Sequence, residues 1–267
     1  MMKLTVLCDN CARVGAYYLA EPGVSYLLED GDDKILLDTG FSDAYLRNAA
    51  KLGIDLSKLT ALVISHGHDD HTGGMVYLTD RGEKLPLYGH PQIFERKRLN
   101  GEEIGAPYTQ EQAEKLFDLR LSDQPVSLSE HLVFLGQIPR TNDYENRSPV
   151  GERWVDGQWE PDYLVDDSAL VYRGAEGLTI ITGRSHAGIK NITDYAMKVC
   201  GDERICGIIG GFHMPEVTPQ TEKTVSWLSK LRPGNLRPCH CTCFHARAAI
   251  HQCVPIGDTC VADVLEF

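Results

Sequence analysis

The 267-residue chain contains no run approaching the ~18 consecutive apolar residues that a helix needs to cross a bilayer. Its opening stretch, Met1 to Cys8, carries one basic residue and an apolar segment too short for a secretory signal, so a cytoplasmic protein is expected. Basic charge is scarce as well: 26 Lys and Arg stand against 38 Asp and Glu, for a net charge of −12. That balance argues against nucleic acid or an anionic membrane as the main partner, because phosphate surfaces are held by clustered cations. No internal repeat is visible. Cysteines number nine, an odd count, and in a reducing compartment they are expected as thiols rather than a disulfide framework. Cys8 and Cys11 have C-x-x-C spacing but lack a second ligand pair, so ordinary thiols near a strand end are expected there.

What the chain does have is apolar bulk and one dense group of metal-type side chains. With 42% hydrophobic residues it can bury a full core, and residues 1–267 are expected to form one α/β domain. The apolar run Leu62-Val63-Ile64 reads as a buried strand, and directly behind it stands His66-Gly67-His68-Asp69-Asp70-His71. Residues two apart in an extended segment point the same way, so His66 and His68 can share one metal as neutral imidazole donors. Asp70 and His71 follow once the turn has begun, which redirects them toward a second metal nearby. A His-rich surface loop is the plain alternative, but three imidazoles and a carboxylate in six residues behind a buried strand favour a metal site.

Strand patterns recur along the chain. Leu4–Leu7, Val24–Leu28, Ile35–Leu37, Leu85–Gly89, Leu132–Leu135, Leu170–Tyr172, Leu178–Ile181, Ile205–Ile209 and Leu236–Pro238 read as strands. Helices are predicted over Asp43–Leu52 with Ser42 as N-cap, Glu111–Leu119, Ile189–Cys200, Pro219–Leu231 capped by Thr218, and Ala246–Cys253. Between about 101 and 161 the pattern weakens, and Asp143–Trp159 is polar and aromatic without period. Trp154, Trp159, Tyr144 and Arg153 make this stretch a candidate substrate lid or homodimer arm, with a surface insertion as the alternative. His186, His213 and His240 each follow a predicted strand, where open α/β layers place their sites. His90 also ends a strand, but beside Pro91 it reads as a helix-start or supporting residue.

Several segments resemble the metallo-β-lactamase superfamily: Leu36-Leu37-Asp38-Thr39-Gly40, the His66–His71 motif, Gly183-Arg184-Ser185-His186-Ala187-Gly188, and Pro238-Cys239-His240-Cys241-Thr242. A branch that includes ribofuranosylaminobenzene 5'-phosphate synthase is resembled by Pro22–Glu29, by Ile138-Pro139-Arg140-Thr141 with Glu145, by Gly210-Gly211-Phe212-His213, and by His240-Cys241-Thr242. The resemblance implies an α/β (α+β) fold built as a four-layer αββα sandwich. Combined with the spacing, it implies one metal held by His66, His68 and His186 and another held by Asp70, His71 and His240.

Asp38 is expected to accept a hydrogen bond from a metal-bound His and orient it, a role metal sites generally need. Many relatives place a bridging Asp where Gly210-Gly211-Phe212-His213 stands here, so His213 is expected to bind substrate or pass protons. Gly210 and Gly211 would let backbone approach the site. Cys239, Cys241 and Cys243 alternate away from His240 in an extended segment and are expected as lining or core. Glu145, Asp166 and Asp167 are suggested only by the branch resemblance; a solvated acidic face is their default.

Two divalent metal ions are therefore expected, with Zn2+ fitting the imidazole-rich set best and Mn2+ or Fe2+ as alternatives. The activity expected is hydrolysis of a small substrate that is phosphorylated or otherwise anionic, with Asp70 and His213 in the chemistry. A phosphoribosyl-dependent synthase and a non-enzymatic metal sensor are the alternatives. Metal affinity is expected to fall below pH ~6.5, the free imidazole value.

Overall fold

Strands that are apolar on both faces must be covered on both sides, and the chain does this by stacking two sheets between outer helices. The computed structural model describes residues 1–78 and 82–267. A seven-stranded sheet has the order Val264–Glu266, Lys3–Cys8, Ser25–Asp30, Asp33–Leu37, Ala61–Val63, Leu85–Gly89, Phe117–Leu121. A six-stranded sheet has the order Asn235–Cys239, Ile205–Gly211, Gly177–Thr182, Ala169–Gly174, Leu132–Phe134, Val126–Ser127.

The period of two in each strand decides which core a side chain joins. Tyr26, Leu28, Ile35, Leu37 and Val63 meet Leu170, Ile181 and Ile209 between the sheets. Their neighbours Leu27, Leu36 and Leu62 turn outward against Tyr45 and Ala49 of the helix Ala44–Lys51. On the other outer face Val171, Ile180 and Ile208 meet Ile192, Leu228 and Ile250, one from each of the helices Ile189–Cys200, Pro219–Leu231 and Phe244–Cys253. The result is the four-layer αββα sandwich.

Topology places the functional edge. Asp33–Leu37, Ala61–Val63 and Leu85–Gly89 run parallel, as do Gly177–Thr182, Ile205–Gly211 and Asn235–Cys239. Parallel neighbours finish on the same side, so the residues that follow them gather along one rim.

Some predicted boundaries move. The first helix begins at Ala44 with Asp43 in the N-cap position, and Ser42 Oγ instead accepts from the Ala44 N–H at 3.2 Å. The predicted helix Glu111–Leu119 stops at Leu116, because Phe117, Leu119 and Leu121 alternate as a strand that pairs in parallel with Leu85–Gly89. The last helix starts earlier, at Phe244, with the Cys243 sulfur accepting from the Ala246 N–H at 3.4 Å.

The aperiodic stretch is ordered. Glu152–Val155 and Gln158–Pro161 form a hairpin that joins Lys97–Leu99 and Glu102–Glu103 in a third, four-stranded sheet. Trp154 sits opposite Trp159 with ring centroids 5.2 Å apart, and Arg98 stacks over Trp159 at 4.2 Å. Such short strands are held by cross-strand aromatic pairs rather than by one buried face, which leaves little periodicity to read. Elsewhere in the 101–161 segment, Phe117–Leu121 joins the seven-stranded sheet and Val126–Ser127 and Leu132–Phe134 join the six-stranded one, while 135–151 carries no strand.

Cys11 and Cys260 form a disulfide with Cα atoms 4.6 Å apart, so the expectation of nine thiols fails for these two. Antiparallel pairing of Lys3–Cys8 with Val264–Glu266 brings their segments side by side, a proximity that their separation of 249 positions concealed.

The third sheet is fastened to the main body by a buried charge group. Lys97 Nζ donates to Asp162 Oδ2 at 2.7 Å and to Asp166 Oδ1 at 3.1 Å, with all three side chains inaccessible to solvent. Asp166 Oδ2 also accepts the Gly67 N–H at 2.8 Å, which links this group to the His66–His71 loop. Breaking a buried pair strands a carboxylate in low dielectric, so Lys97→Met should destabilise the fold by about 3–5 kcal/mol. Chemical denaturation checks this, and an unshifted midpoint would count against it.

Candidate metal centre

The strand Ala61–Val63 ends short of the motif: the chain bends through Ser65, His66 and Gly67 rather than staying extended, His68 is extended, and a four-residue helix, Asp69–Thr72, follows. That helix redirects Asp70 and His71, as their spacing predicted. Asp38 follows Asp33–Leu37, His186 follows Gly177–Thr182, His213 follows Ile205–Gly211, and His240 follows Asn235–Cys239. Asp38, His213 and His240 take left-handed backbone, with φ of 58°, 48° and 48°. Non-glycine residues rarely adopt it unless the surroundings impose it.

All the candidate imidazoles converge on the rim. Ring centroids lie 4.7 Å apart for His66 and His68, 4.8 Å for His66 and His186, and 5.1 Å for His71 and His240. One ligand-type atom from each of His66, His68 and His186 lies within 4.8 Å of the other two, and the same is true of His66, Asp70 and His71. His240 adjoins the second group through Asp70, its Nε2 lying 3.4 Å from Asp70 Oδ2.

The donor set fits a divalent cation on its own chemistry. Nε2 of His66, His68, His71, His186 and His240 is buried with no hydrogen-bond partner. Each such orphan costs roughly 1–3 kcal/mol, and a metal is the one partner that satisfies several imidazole lone pairs at once. For His71, His66 and His240 the opposite ring nitrogen is occupied, whereas both ring nitrogens of His186 are without a partner. His71 Nδ1 donates to Asp38 Oδ2 at 2.7 Å, His66 Nδ1 lies 3.1 Å from Ser65 Oγ, and His240 Nδ1 donates to Asn10 Oδ1 at 2.8 Å. Those bonds select the tautomer that leaves Nε2 as the free base.

Electrostatics favours the same state. Burial, reinforced by neighbouring positive charge, pushes His66 and His186 well below the ordinary imidazole range. Burial brings His68 down to about 3 and His240 to about 4. His71 moves the other way: burial would lower it, but Asp70 and Asp38 outweigh that and raise it. Asp70 is held ionised, because His71, His240 and Arg184 overcome the burial that would raise it.

His213 stands against His186, with centroids 4.2 Å apart. Burial lowers it to about 4, and its Nδ1 has no partner. A Cβ on Gly211 would lie 2.6 Å from Cys241 Sγ and 3.1 Å from His240 Cδ2, so glycine is what admits the backbone there. His90 lies apart from this group: its Nδ1 accepts from Gln92 N–H at 3.2 Å and its Nε2 faces Gln137.

Several readings change. Cys241 does not point away from the rim; the turn at His240 brings its sulfur to accept the His213 N–H at 3.2 Å. Burial lifts that thiol to about 12, so it is a neutral lining group at physiological pH. Glu145, Asp166 and Asp167 are buried rather than solvated. Glu145 receives the N–H groups of Lys190 and Asn191, each at 3.0 Å, at the start of the helix Ile189–Cys200. Asp167 Oδ2 accepts the Ala187 N–H at 2.8 Å, which steadies the loop bearing His186. Nothing local marked Glu145, Asn10 or Lys97, whose partners Lys190, His240 and Asp162 lie 45, 230 and 65 positions away.

A fold and a site of this kind define a metallohydrolase-type scaffold, and the Metallo-beta-lactamase superfamily model matches residues 19–189. The chain belongs to that superfamily, whose members are generally hydrolytic enzymes, and its His/Asp group is one for divalent metal binding. It is 29% identical to the uncharacterized protein MJ0448 of Methanocaldococcus jannaschii, over 93% of this chain and 94% of that one. It is 27% identical to 7,8-dihydropterin-6-methyl-4-(beta-D-ribofuranosyl)-aminobenzene-5'-phosphate synthase of the same organism, over 92% and 89%. Among solved structures, Tm1679, described as a metal-dependent hydrolase of the beta-lactamase superfamily, superimposes with a TM-score of 0.88 at 30% identity, covering 100% of this chain and 99% of that one.

The lowered imidazoles make a pH prediction for the metal-free protein. Between pH ~6.5 and ~4 the unfolded chain binds protons on His66, His68, His186, His213 and His240 that the folded chain excludes. Asp167, raised to about 7 by burial, and Asp9, raised to about 6, oppose this with one proton each, and the upward shifts of Asp69, Glu95 and Glu145 act in the same direction without matching five imidazoles. The unfolded state takes up more protons, so stability should fall as pH drops through that window. Thermal midpoints of chelator-treated protein measure it, and a flat or rising profile toward acid would contradict the assignment.

Proposed function

We propose that the protein is a metal-dependent hydrolase of a small anionic substrate, with phosphate esters as the class to test first. The observation that carries this reading is the convergence of partnerless, neutral imidazole nitrogens beside an ionised Asp70. Divalent cations, with Zn2+ best suited to this donor set, supply Lewis acidity and lower the pKa of water toward neutrality.

The chain's own residues divide the remaining work. His66, His68 and His186 would hold one cation, and Asp70, His71 and His240 would be the ligands for another. Asp38 fixes the ring of His71, and Asn10 fixes that of His240. A proton-transfer role for His213 is supported by its neutral state at pH 7 and its unpartnered Nδ1.

A second reading, a phosphoribosyl-dependent synthase, is favoured by the similarity to the M. jannaschii synthase. The two separate in a direct assay. A phosphate-ester panel with Zn2+- or Mn2+-loaded protein should release phosphate or alcohol. A phosphoribosyl donor offered with an aminobenzoate should release no pyrophosphate; pyrophosphate with an inert ester panel would reverse the choice.

Within the hydrolase reading, His66→Ala should abolish turnover together with metal retention. His213→Ala should retain metal while lowering kcat about 100-fold. Loss of metal in the His213 variant would move that residue from proton transfer to ligation.

A further inference from the structure

The loop Gly183–Gly188 carries two side chains of opposite consequence to the rim. His186 joins His66 and His68. Arg184, two positions earlier, extends its guanidinium to the other group, where Nη1 is in direct contact with Asp70 Oδ2. That oxygen is also the one nearest His240 Nε2, at 3.4 Å, and His71 Nε2, at 3.7 Å. A cation held by Asp70, His71 and His240 must therefore approach the carboxylate that Arg184 already neutralises.

The guanidinium is a permanent charge, so it cannot yield by losing a proton as a lysine could. Its position is built into the fold. Gly211 N–H donates to Gly183 O at 3.1 Å, and Cys241 Sγ lies 3.6 Å from Arg184 O, which fixes the backbone on both sides. Arg184 Nε is buried with no partner. No comparable contact with a basic side chain occupies His66, His68 or His186 among the described residues; their Nε2 atoms stay open.

We infer that Arg184 is an internal competitor for the second cation, making the two ligand groups unequal: one metal binds tightly at His66, His68 and His186, and the other only by displacing a guanidinium from Asp70. This rests on the proposed ligand assignment, and it replaces a symmetric pair by one resident metal beside one fixed organic cation.

The test is zinc titration of the full-length, chelator-stripped protein against a chromophoric competitor, with elemental analysis after dialysis. Wild type should hold one Zn2+ per chain, with a second at least ~100-fold weaker, as expected for like charges at contact distance. Arg184→Gln should close that gap to about tenfold or less. Two sites of equal affinity in wild type would overturn the role of Arg184 while leaving the metal reading intact, and this result needs no variant to fold. An undiminished gap in folded Arg184→Gln would overturn it as well. No tight zinc in any form would instead remove the metal assignment on which the inference stands.

Discussion

The site depends on one buried carboxylate. Asp38 has both oxygens engaged: Oδ1 accepts the Ser65 N–H at 2.7 Å, and Oδ2 receives Ser65 Oγ and His71 Nδ1, each at 2.7 Å. It ties the end of one central strand to the loop leaving the next, fixes the tautomer of His71, and through Ser65 reaches His66. The packing around it permits no slack: a Cβ on Gly183 would lie 2.3 Å from Ser65 Oγ and 2.6 Å from Asp38 Oδ2. The loop carrying Arg184 and His186 is thus pressed directly onto the group that orients His71.

Around this centre the fold uses buried ions as fasteners. Lys97, Asp162 and Asp166 join the small third sheet to the His66–His71 loop, and Glu145 closes the start of the helix behind His186. Buried charges are expensive unless paired and hydrogen-bonded. Each here has its partners, so the cost is met while the relative positions of separate segments are fixed. The same low dielectric keeps most of the imidazoles neutral, so the forces that hold the loops also prepare the lone pairs.

Much of this was legible from residue order. Alternating apolar runs marked the central strands, and the spacing within His66–His71 signalled a change of backbone direction that the helix Asp69–Thr72 supplies. Of the residues quoted for family resemblance, Asp38, the three histidines of His66–His71, His186, His213 and His240 lie at the rim, while Tyr26, Leu28, Leu36, Leu37 and Ile138 lie in the apolar cores. Less legible were strands without strong period, such as the Trp154–Trp159 hairpin, and acidic residues whose partners are remote. Asp166 looked solvated because Lys97, which neutralises it, is 69 positions away.

The sequence alone determined local matters: which segments extend, which coil, and which short motif supplies several ligand atoms. Those properties depend on neighbours a few positions apart, and periodicity records them. Only the tertiary structure decided the grouping: Arg184 on Asp70 across 114 positions, Asn10 on His240 across 230, and Cys11 on Cys260 across 249. Such contacts are set by the alignment of parallel strand ends and the stacking of two sheets. No local pattern encodes them, because the physical distance they depend on exists only after the chain has folded.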